Sequence, residues 1–222
     1  LFKKKRDNGL NVVDFFCGCG GLSLGFKMAG YNIKGAIDFD EDSLETIAHN
    51  ELSEHPLNID LFNESWLDEL KASMEISDVD VVIFDIQDVG VRFYTYISTM
   101  HYVMEACAEN NITLLILDRP NPNAHYVDGP VMEDEFKGFL GKHNVPIVYG
   151  LTLGEYAQMI NEEGWLANKI QCKMSIIPIK NYTHKTPYSL AVRPSPNLPN
   201  DQAINLYPSL CLLEQTPVSI GR

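Results

Sequence analysis

The chain has 222 residues, is 45% hydrophobic and 21% charged, and carries a formal net charge of −13. No stretch approaches the roughly 20 apolar residues of a transmembrane helix, so no membrane span is expected. The excess of acidic residues also argues against a nucleic-acid partner, because proteins that bind nucleic acids usually carry a basic face. The five cysteines lack zinc-site spacing, so no metal site is expected, and the absence of a signal peptide favours a cytoplasmic protein.

Hydrophobic periodicity predicts an alternation of strands and helices. In chain order the predicted elements are strand 11–16, helix 22–29, strand 31–37, helix 43–52, helix 66–74, strand 79–86, helix 93–109, strand 113–117, strand 146–149, helix 153–163, strand 173–179 and helix 202–213. Thr152 and Glu155 have the spacing of a capping box at the start of one of these helices.

This alternation predicts an α/β fold, a Rossmann-like and mostly parallel sheet with helices on both faces. Residues 180–201 are rich in Pro and Asn and predict irregular structure, and a second subdomain is expected to start after about residue 190. The loops that follow parallel strands lie along one edge of such a sheet, where ligands bind.

A glycine-rich loop lies between the first predicted strand and helix. Glycines let a backbone turn tightly and approach a ligand, and Asp38, at the end of the second strand, is placed to accept hydrogen bonds from a ribose. The glycine-rich loop, the acidic residue at the end of the second strand and the βαβ arrangement together indicate a nucleoside cofactor. The loop residues in question are Phe16, Cys17, Gly18, Gly20 and Gly21.

The opening, from Val12 to about residue 76, resembles the start of the DNA cytosine-5 methyltransferases in its Asp-Phe-Phe-Cys-Gly-Cys-Gly-Gly loop and its Ala-Ile-Asp-Phe-Asp strand end. The resemblance implies S-adenosylmethionine as cofactor, with its methionine end against the glycine loop. It also implies that Asp38 holds the ribose, Phe39 packs on the adenine and Asp60 meets the adenine amino group. The family's Pro-Cys nucleophile is absent from this sequence, so methyl transfer by this chain alone is not expected.

From about residue 78 onward the chain resembles a second family, the bacterial exo-β-N-acetylmuramidases of peptidoglycan recycling. The motifs that carry this resemblance are Phe-Asp-Ile-Gln-Asp-Val-Gly-Val-Arg-Phe-Tyr at 84–94, Leu-Asp-Arg-Pro-Asn-Pro at 117–122, Asp-Gly-Pro at 128–130, Tyr-Gly-Leu-Thr-Leu-Gly-Glu at 149–155, Pro-Ser-Pro-Asn-Leu-Pro at 194–199 and Tyr-Pro-Ser-Leu-Cys at 207–211. The implied ligand is a small sugar or peptidoglycan fragment, and no cofactor is implied for this part.

Two polar clusters in this segment follow neighbouring predicted strands and are expected to share one edge of the sheet. Glycoside hydrolysis needs two carboxyl groups, one protonated and one ionised. The candidate carboxylates are Asp85, Asp88, Asp118 and Glu155. The candidates for binding the lactyl carboxylate and the hydroxyl groups of the sugar are Arg92, Tyr94, Arg119 and Asn121.

Structural roles compete with these assignments. Asp85 or Asp88 can cap a helix, Asp118 can form an ion pair with an arginine, and Glu155 fits the capping box better than catalysis. His184 is predicted to be a surface residue. The Gly-Pro-Glu-His loop of the muramidase family, which carries a leading catalytic candidate, is absent, so weak or no hydrolysis is expected.

The sequence therefore predicts a composite with a join near residues 78–83. The predicted segments are a methyltransferase-like cofactor-binding part at 1–78, a muramidase-family Rossmann-like part at 79–190 and the start of a C-terminal subdomain at 191–222. The preferred function is that of an impaired muramidase-family fragment. The alternatives are a fragment that binds S-adenosylmethionine and a composite without function.

Overall fold

A computed structural model describes residues 9–59 and 79–210, together with Leu213 and Thr216. The strands of its sheet are β1 Asn11–Phe15, β2 Asn32–Asp38, β3 His55–Asn58, β4 Val81–Phe84, β5 Thr113–Leu117 and β6 Met174–Ile177. The α-helices in the same ranges are α1 Gly21–Ala29, α2 Glu41–His49, α3 Tyr96–Glu109, α4 Leu153–Glu162 and α5 Asp201–Leu210.

The six strands form one sheet in the order β3-β2-β1-β4-β5-β6. The β2–β3, β1–β2, β1–β4 and β4–β5 pairs are parallel. At the β6 edge, Leu114 N donates to Lys173 O and Asp118 N donates to Ile177 O, so partner numbers rise together and this pair is parallel too. This strand order is that of the Rossmann fold, which confirms the predicted class.

A register shift in β2 decides which side chains face α1 and α2. Val12 of β1 pairs with Ile33, but the next residue pairs with Gly35, so Lys34 is an extra residue in β2. Ile33 and Ala36 therefore face the same side of the sheet. Ile33 belongs to the buried cluster that packs against α1, and Ala36 to the one that packs against α2.

Several predicted elements differ from the structure. Residues 146–149 are not a strand, because Val148 makes only isolated bridges to Val91 and Asp128. Strand β3 was not predicted, and α3 begins at Tyr96 after a 3-10 turn rather than at residue 93. The predicted helix at 66–74 lies outside the described residues.

The chain divides into two compact units. The first consists of Leu1–Asp85, Tyr102–Leu117 and Leu166–Ile176, and it carries the sheet. The second consists of Ile86–His101, Asp118–Trp165 and Ile177–Arg222, so it begins with the segments that follow β4 and β5. The three-part division by sequence family stays a prediction. Across residues 9–59 and 79–210, no helix combines the length and the hydrophobicity needed to cross a membrane.

Candidate functional site

Three loops of the second unit contain most of the predicted sugar-site residues, and hydrogen bonds join them. We call them the motif loops: residues 86–95, 118–126 and 145–152. Gln87 Nε2 donates to the carbonyl oxygen of Pro120 at 2.8 Å, and Asn121 Nδ2 donates to that of Leu151 at 2.8 Å. The structure thus brings together the two polar clusters that the sequence placed after neighbouring strands.

Asp88 lies in the interior of the motif loops, with only 4% of its surface exposed. Its Oδ1 accepts a hydrogen bond from the Tyr149 hydroxyl at 2.6 Å and another from Gly90 N at 2.6 Å. Oδ2 is also buried and has no hydrogen-bond partner within the described chain. Burial raises the pKa of Asp88 to about 6, although its hydrogen bonds oppose that shift.

Asn121 is buried, and its side chain shapes the loops. Its Oδ1 accepts from Asn123 N at 2.8 Å, while its Nδ2 reaches Leu151 as described above. The Tyr182 hydroxyl donates to its backbone oxygen at 2.8 Å. The hydrogen-bonding groups of Asn121 are thus used within the protein. Asn121 can therefore contribute to sugar binding only indirectly, by fixing the conformation of the loops.

Arg92 and Tyr94 form hydrogen bonds both between the motif loops and to other segments of the same unit. Arg92 is buried, and its Nη1 donates to the carbonyl oxygens of Pro130, at 3.1 Å, and Val145. The Tyr94 hydroxyl donates to Pro194 O at 2.9 Å, and burial raises the pKa of Tyr94 far above its usual range. Both side chains therefore have structural contacts that the sequence pattern did not indicate.

Asp118 and Glu155 meet at Thr152, the N-cap of α4. Thr152 donates from Oγ1 to Asp118 Oδ2 at 2.8 Å and from its backbone N to Glu155 Oε2 at 2.9 Å. Asp118 Oδ1 also accepts from Gly154 N at 2.8 Å. The capping box predicted from the spacing of Thr152 and Glu155 is therefore confirmed.

The environments of these two carboxylates differ. Asp118 is half-buried, and desolvation raises its pKa above the ordinary value. Glu155 is exposed, and its carboxylate contacts His184 Nε2 at 2.7 Å. The pair thus combines one carboxyl group pushed toward its protonated form with another that remains open to solvent. We call Asp118, Thr152, Glu155 and His184 the carboxylate patch.

The remaining predicted residues of this segment are Asp85 and Arg119. Asp85 belongs to the first unit, where its charge contributes to the raised pKa of Asp14. Arg119 is half-buried in the second unit, next to Asp118 in the chain, and its backbone N donates to Asp118 Oδ1 at 3.1 Å.

Replacing Thr152 with valine should lower the free energy of unfolding by about 2 kcal/mol. The substitution keeps the side-chain shape but removes both the cap of α4 and a donor to the Asp118 carboxylate. Urea unfolding followed by circular dichroism measures the loss. Thr152→Ser is the matched control, since it keeps the hydroxyl and should stay close to the wild type. Equal stabilities for the valine and serine variants would contradict this role of the hydroxyl.

Sequence reasoning missed a buried polar network in the second unit. The nitrogens His101 Nδ1 and His143 Nε2 are 2.8 Å apart, and His143 Nδ1 lies 3.0 Å from the Tyr156 hydroxyl. The Tyr156 ring meets that of Tyr149 edge-on, with a centroid separation of 4.9 Å. Tyr149 is in turn the residue that binds Asp88. The histidines lie 42 positions apart, so no local pattern signals their pairing.

In the first unit, Asp38 organises the glycine-rich loop. Its Oδ2 accepts from Gly18 N at 2.8 Å and its Oδ1 from Asp40 N at 3.1 Å. Gly20 is the N-cap residue of α1 and Gly21 its first residue. Asp38 and the loop are thus brought together, as the cofactor prediction requires, but both carboxylate oxygens already bind the backbone.

The other residues of the predicted cofactor site differ in accessibility. The ring of Phe39 is open to a ligand, with the residue 60% exposed, and Phe16 is half-buried with a left-handed backbone. Cys17 is buried, which raises the pKa of its thiol and keeps it protonated. Asp60, the predicted partner of the adenine amino group, lies outside the described residues.

An open pocket of about 480 Å³ lies in the second unit. It is formed by the end of the second motif loop, the irregular segment after β6 and the start of α5. The residues that line it include Pro122, His125, Lys185, Tyr188, Asp201 and Asn205. Lys185 follows directly after His184 of the carboxylate patch. The volume suits a ligand of monosaccharide size or larger.

The Rossmann strand order of the sheet defines an α/β protein, a class in which ligands bind at the loops that follow the strands. The chain belongs to the family described as exo-beta-N-acetylmuramidase NamZ, N-terminal, whose model matches residues 36–202. The match begins well before residue 78, where sequence motifs alone placed the start of the resemblance. It includes all the motif loops and the carboxylate patch.

Two relatives support this assignment. The peptidoglycan beta-N-acetylmuramidase NamZ of Bacillus subtilis (strain 168) is 40% identical over 152 residues, which are 66% of this chain and 36% of the relative. A DUF1343 family protein from Bacteroides fragilis NCTC 9343, known from a crystal structure, is 41% identical with a TM-score of 0.78. That similarity covers 100% of this chain and 60% of the Bacteroides chain. The present chain therefore spans only part of each relative.

The methyltransferase resemblance has narrower support. The type II methyltransferase M.DdeI of Desulfomicrobium norvegicum is 39% identical over 74 residues, which cover 33% of this chain and 17% of the relative. Membership of the muramidase family is thus confirmed, while a composite origin from two families stays a prediction. The crystal structure from Bacteroides matches the fold across the opening segment as well, since it covers the whole chain.

Proposed function

We propose that the chain recognises the N-acetylmuramic acid unit of peptidoglycan-derived sugars, as part of a glycoside hydrolase of the exo-β-N-acetylmuramidase type. The observation that carries the proposal is the carboxylate patch, in which Asp118 and Glu155 meet at Thr152 inside the family-matched region. Two carboxyl groups in different environments are what glycoside hydrolysis needs.

The proposed division of roles follows the electrostatics. Asp118, with its raised pKa, is the proton donor, and Glu155, which is exposed to solvent, is the second carboxyl group. Asp88 is too deeply buried to touch a sugar and acts as a positioning residue through Tyr149. Hydrolysis is proposed to be weak, because the sequence lacks the Gly-Pro-Glu-His loop expected for the family.

Calorimetric titration with N-acetylmuramic acid tests recognition, and release of chromophore from its nitrophenyl glycoside tests turnover. Glu155→Gln is expected to weaken binding about tenfold, because a charge-assisted hydrogen bond to a sugar hydroxyl is lost. Glutamine can still complete the capping box, so α4 should remain intact. Absence of binding by the wild-type chain would refute the proposal.

Glu162→Gln is the matched control for this experiment. Glu162 is the last residue of the same helix, is exposed, and binds only Gln158, through Oε1 at 2.7 Å, in the described chain. Its replacement should leave the affinity for N-acetylmuramic acid unchanged. An equal loss in both variants would remove the role assigned to Glu155 while leaving sugar recognition in place.

A second candidate function is binding of S-adenosylmethionine by the first unit. It is favoured by the glycine-rich loop, which Asp38 holds next to the exposed ring of Phe39. Titration with S-adenosylmethionine tests it, with Phe39→Ala expected to weaken binding about tenfold through lost stacking. Binding of this cofactor alone would favour the methyltransferase alternative, whereas binding of neither ligand would favour a composite without function.

A further inference from the structure

We propose that the open pocket beside the carboxylate patch binds a sugar ring that bears a carboxylate, with Lys185 pairing with the carboxylate and Tyr188 packing against the ring. The choice of a sugar acid rests on the proposed function, whereas the site itself rests on the pocket's own geometry and chemistry. It would make Lys185 the residue that distinguishes an acidic sugar from a neutral one.

The walls of the pocket suit an amphipathic ring. Pro122, Pro187 and Ile204 supply apolar surface, and Ile204 is itself almost fully buried. Tyr188 is 39% exposed and lines the same pocket, so part of its surface is open to a ligand. Aromatic and apolar side chains with a few convergent polar groups are typical of small-molecule sites.

The polar groups of the pocket are available for a ligand. In the part of the chain that the structure describes, no hydrogen bond or ion pair engages the side chains of Lys185, His125, Asp201 or Asn205. This differs from the motif loops, where Asp88, Asn121 and Arg92 bind the protein itself. Available donors and acceptors that converge on one cavity indicate ligand binding more than structural stabilisation.

Lys185 is held in place by a closed turn. Thr186 N donates to Thr183 O at 2.8 Å, and Thr183 N donates to Thr186 Oγ1 at 3.0 Å. His184 and Lys185 are the two central residues of this turn, and His184 contacts Glu155. One turn therefore presents one side chain to the carboxylate patch and the next to the pocket, which reduces the ordering cost of binding.

The balance of charge selects the kind of ligand. Lys185 is a cation, and Asp201 in the same pocket is a carboxylate that can accept hydrogen bonds from hydroxyl groups. A phosphate dianion would be repelled by Asp201 and would lack the several donors that such sites usually provide. A monoanionic sugar suits both groups, because its one carboxylate can pair with Lys185 and its hydroxyl groups can donate to Asp201.

A ligand pair and a variant pair test the role of Lys185 in a thermodynamic cycle. The ligands are N-acetylmuramic acid and its methyl ester, which differ in the negative charge. The variants are Lys185→Gln and Lys180→Gln, a control in which an exposed lysine outside the pocket loses its charge. Calorimetry or ligand-observed NMR on the full chain gives the four affinities and those of the wild type.

The wild type and Lys180→Gln are expected to bind the acid about fivefold more tightly than the ester, and Lys185→Gln to bind both equally. The preference should shrink as salt is added, because the lysine is exposed. Tyr188→Ala should weaken acid and ester alike, and Tyr188→Phe should not. A preference that persists in Lys185→Gln would overturn the pocket assignment but leave the proposed function standing, whereas a wild type that binds neither ligand would overturn both.

Discussion

Replacing Gly90 with alanine is expected to lower the free energy of unfolding by about 3 kcal/mol. Gly90 has a φ of +78°, where an L-residue is strained by roughly 1–2 kcal/mol. A Cβ atom there would lie 2.2 Å from Asn121 Oδ1 and 2.4 Å from Nδ2. Relieving that overlap must displace the amide that binds Leu151 O and Asn123 N, at an overpacking cost of about 1–3 kcal/mol.

Gly18→Ala is the control for backbone strain alone. Gly18 has a φ of +49°, but a Cβ atom there meets nothing within 4 Å. We therefore expect a loss of about 1–2 kcal/mol for this variant, without a clash contribution. Urea unfolding of both variants and the wild type gives the comparison. Similar losses for the two glycines would show that the contact with Asn121 is not decisive.

Raising the pH from 4 to 7 is expected to cost the wild-type protein about 2 kcal/mol of stability through Asp88 alone, and Asp88→Asn should not show this loss. The carboxyl group has an ordinary pKa of 3.8, which burial raises to about 6 in the folded protein. Each pKa unit corresponds to about 1.4 kcal/mol of difference between the protonation states.

The sign follows from proton linkage. Well below pH 3.8 the group is protonated in both states, so its contribution to stability is fully present. Between pH 3.8 and about 6 the folded chain keeps a proton that the unfolded chain releases, so stability falls as the pH rises. Above that window both states are ionised and the loss is complete. The folded protein thus favours the protonated form of the Asp88 carboxyl group.

Asp14 provides an internal comparison, because burial raises its pKa to about 6 as well, although its Oδ2 accepts from Ser23 Oγ at 2.6 Å. Asp14→Asn should remove a similar part of the pH dependence, and the double variant should remove both parts. Chemical unfolding at several pH values between 4 and 7 gives the curves. Parallel curves for the wild type and Asp88→Asn would refute the buried, proton-binding state of this carboxyl group.

Local patterns were sufficient for much of the fold. Strand β5 was predicted with both of its bounds, since its apolar run is followed at once by Asp118. The Thr152–Glu155 spacing predicted the capping box of α4 because the motif is contained in four consecutive residues. Strand β3 was missed because it has only four residues, one of them a proline, and lies at the edge of the sheet. The predicted strand at 146–149 is wrong, because apolar side chains that are buried by loop packing give the same sequence pattern as a short strand.

The site was less predictable than the fold. Sheet topology explains why the loops after β4 and β5 could be expected to meet, since the two strands are parallel neighbours. Sequence could not tell which carboxylate would be buried, because the depths of Asp88 and Asp118 depend on contacts with Tyr149 and Thr152. His184 was predicted to be a surface residue, and its contact with Glu155 spans 29 positions along the chain. Contacts of that range leave no periodic signal in the sequence.

The extra residue in β2 has a consequence for how the chain length can vary. Side chains in a strand alternate between faces, so a deletion normally turns every later side chain to the wrong side. In β2, the register with β1 skips Lys34, and the residues on either side of it pair with consecutive residues of β1. Loss of that one residue would leave Ile33 and Ala36 facing α1 and α2, at the expense of the exposed ion pair between Lys34 and Glu54. Position 34 is therefore where the central sheet can absorb a one-residue change in length without exposing its core.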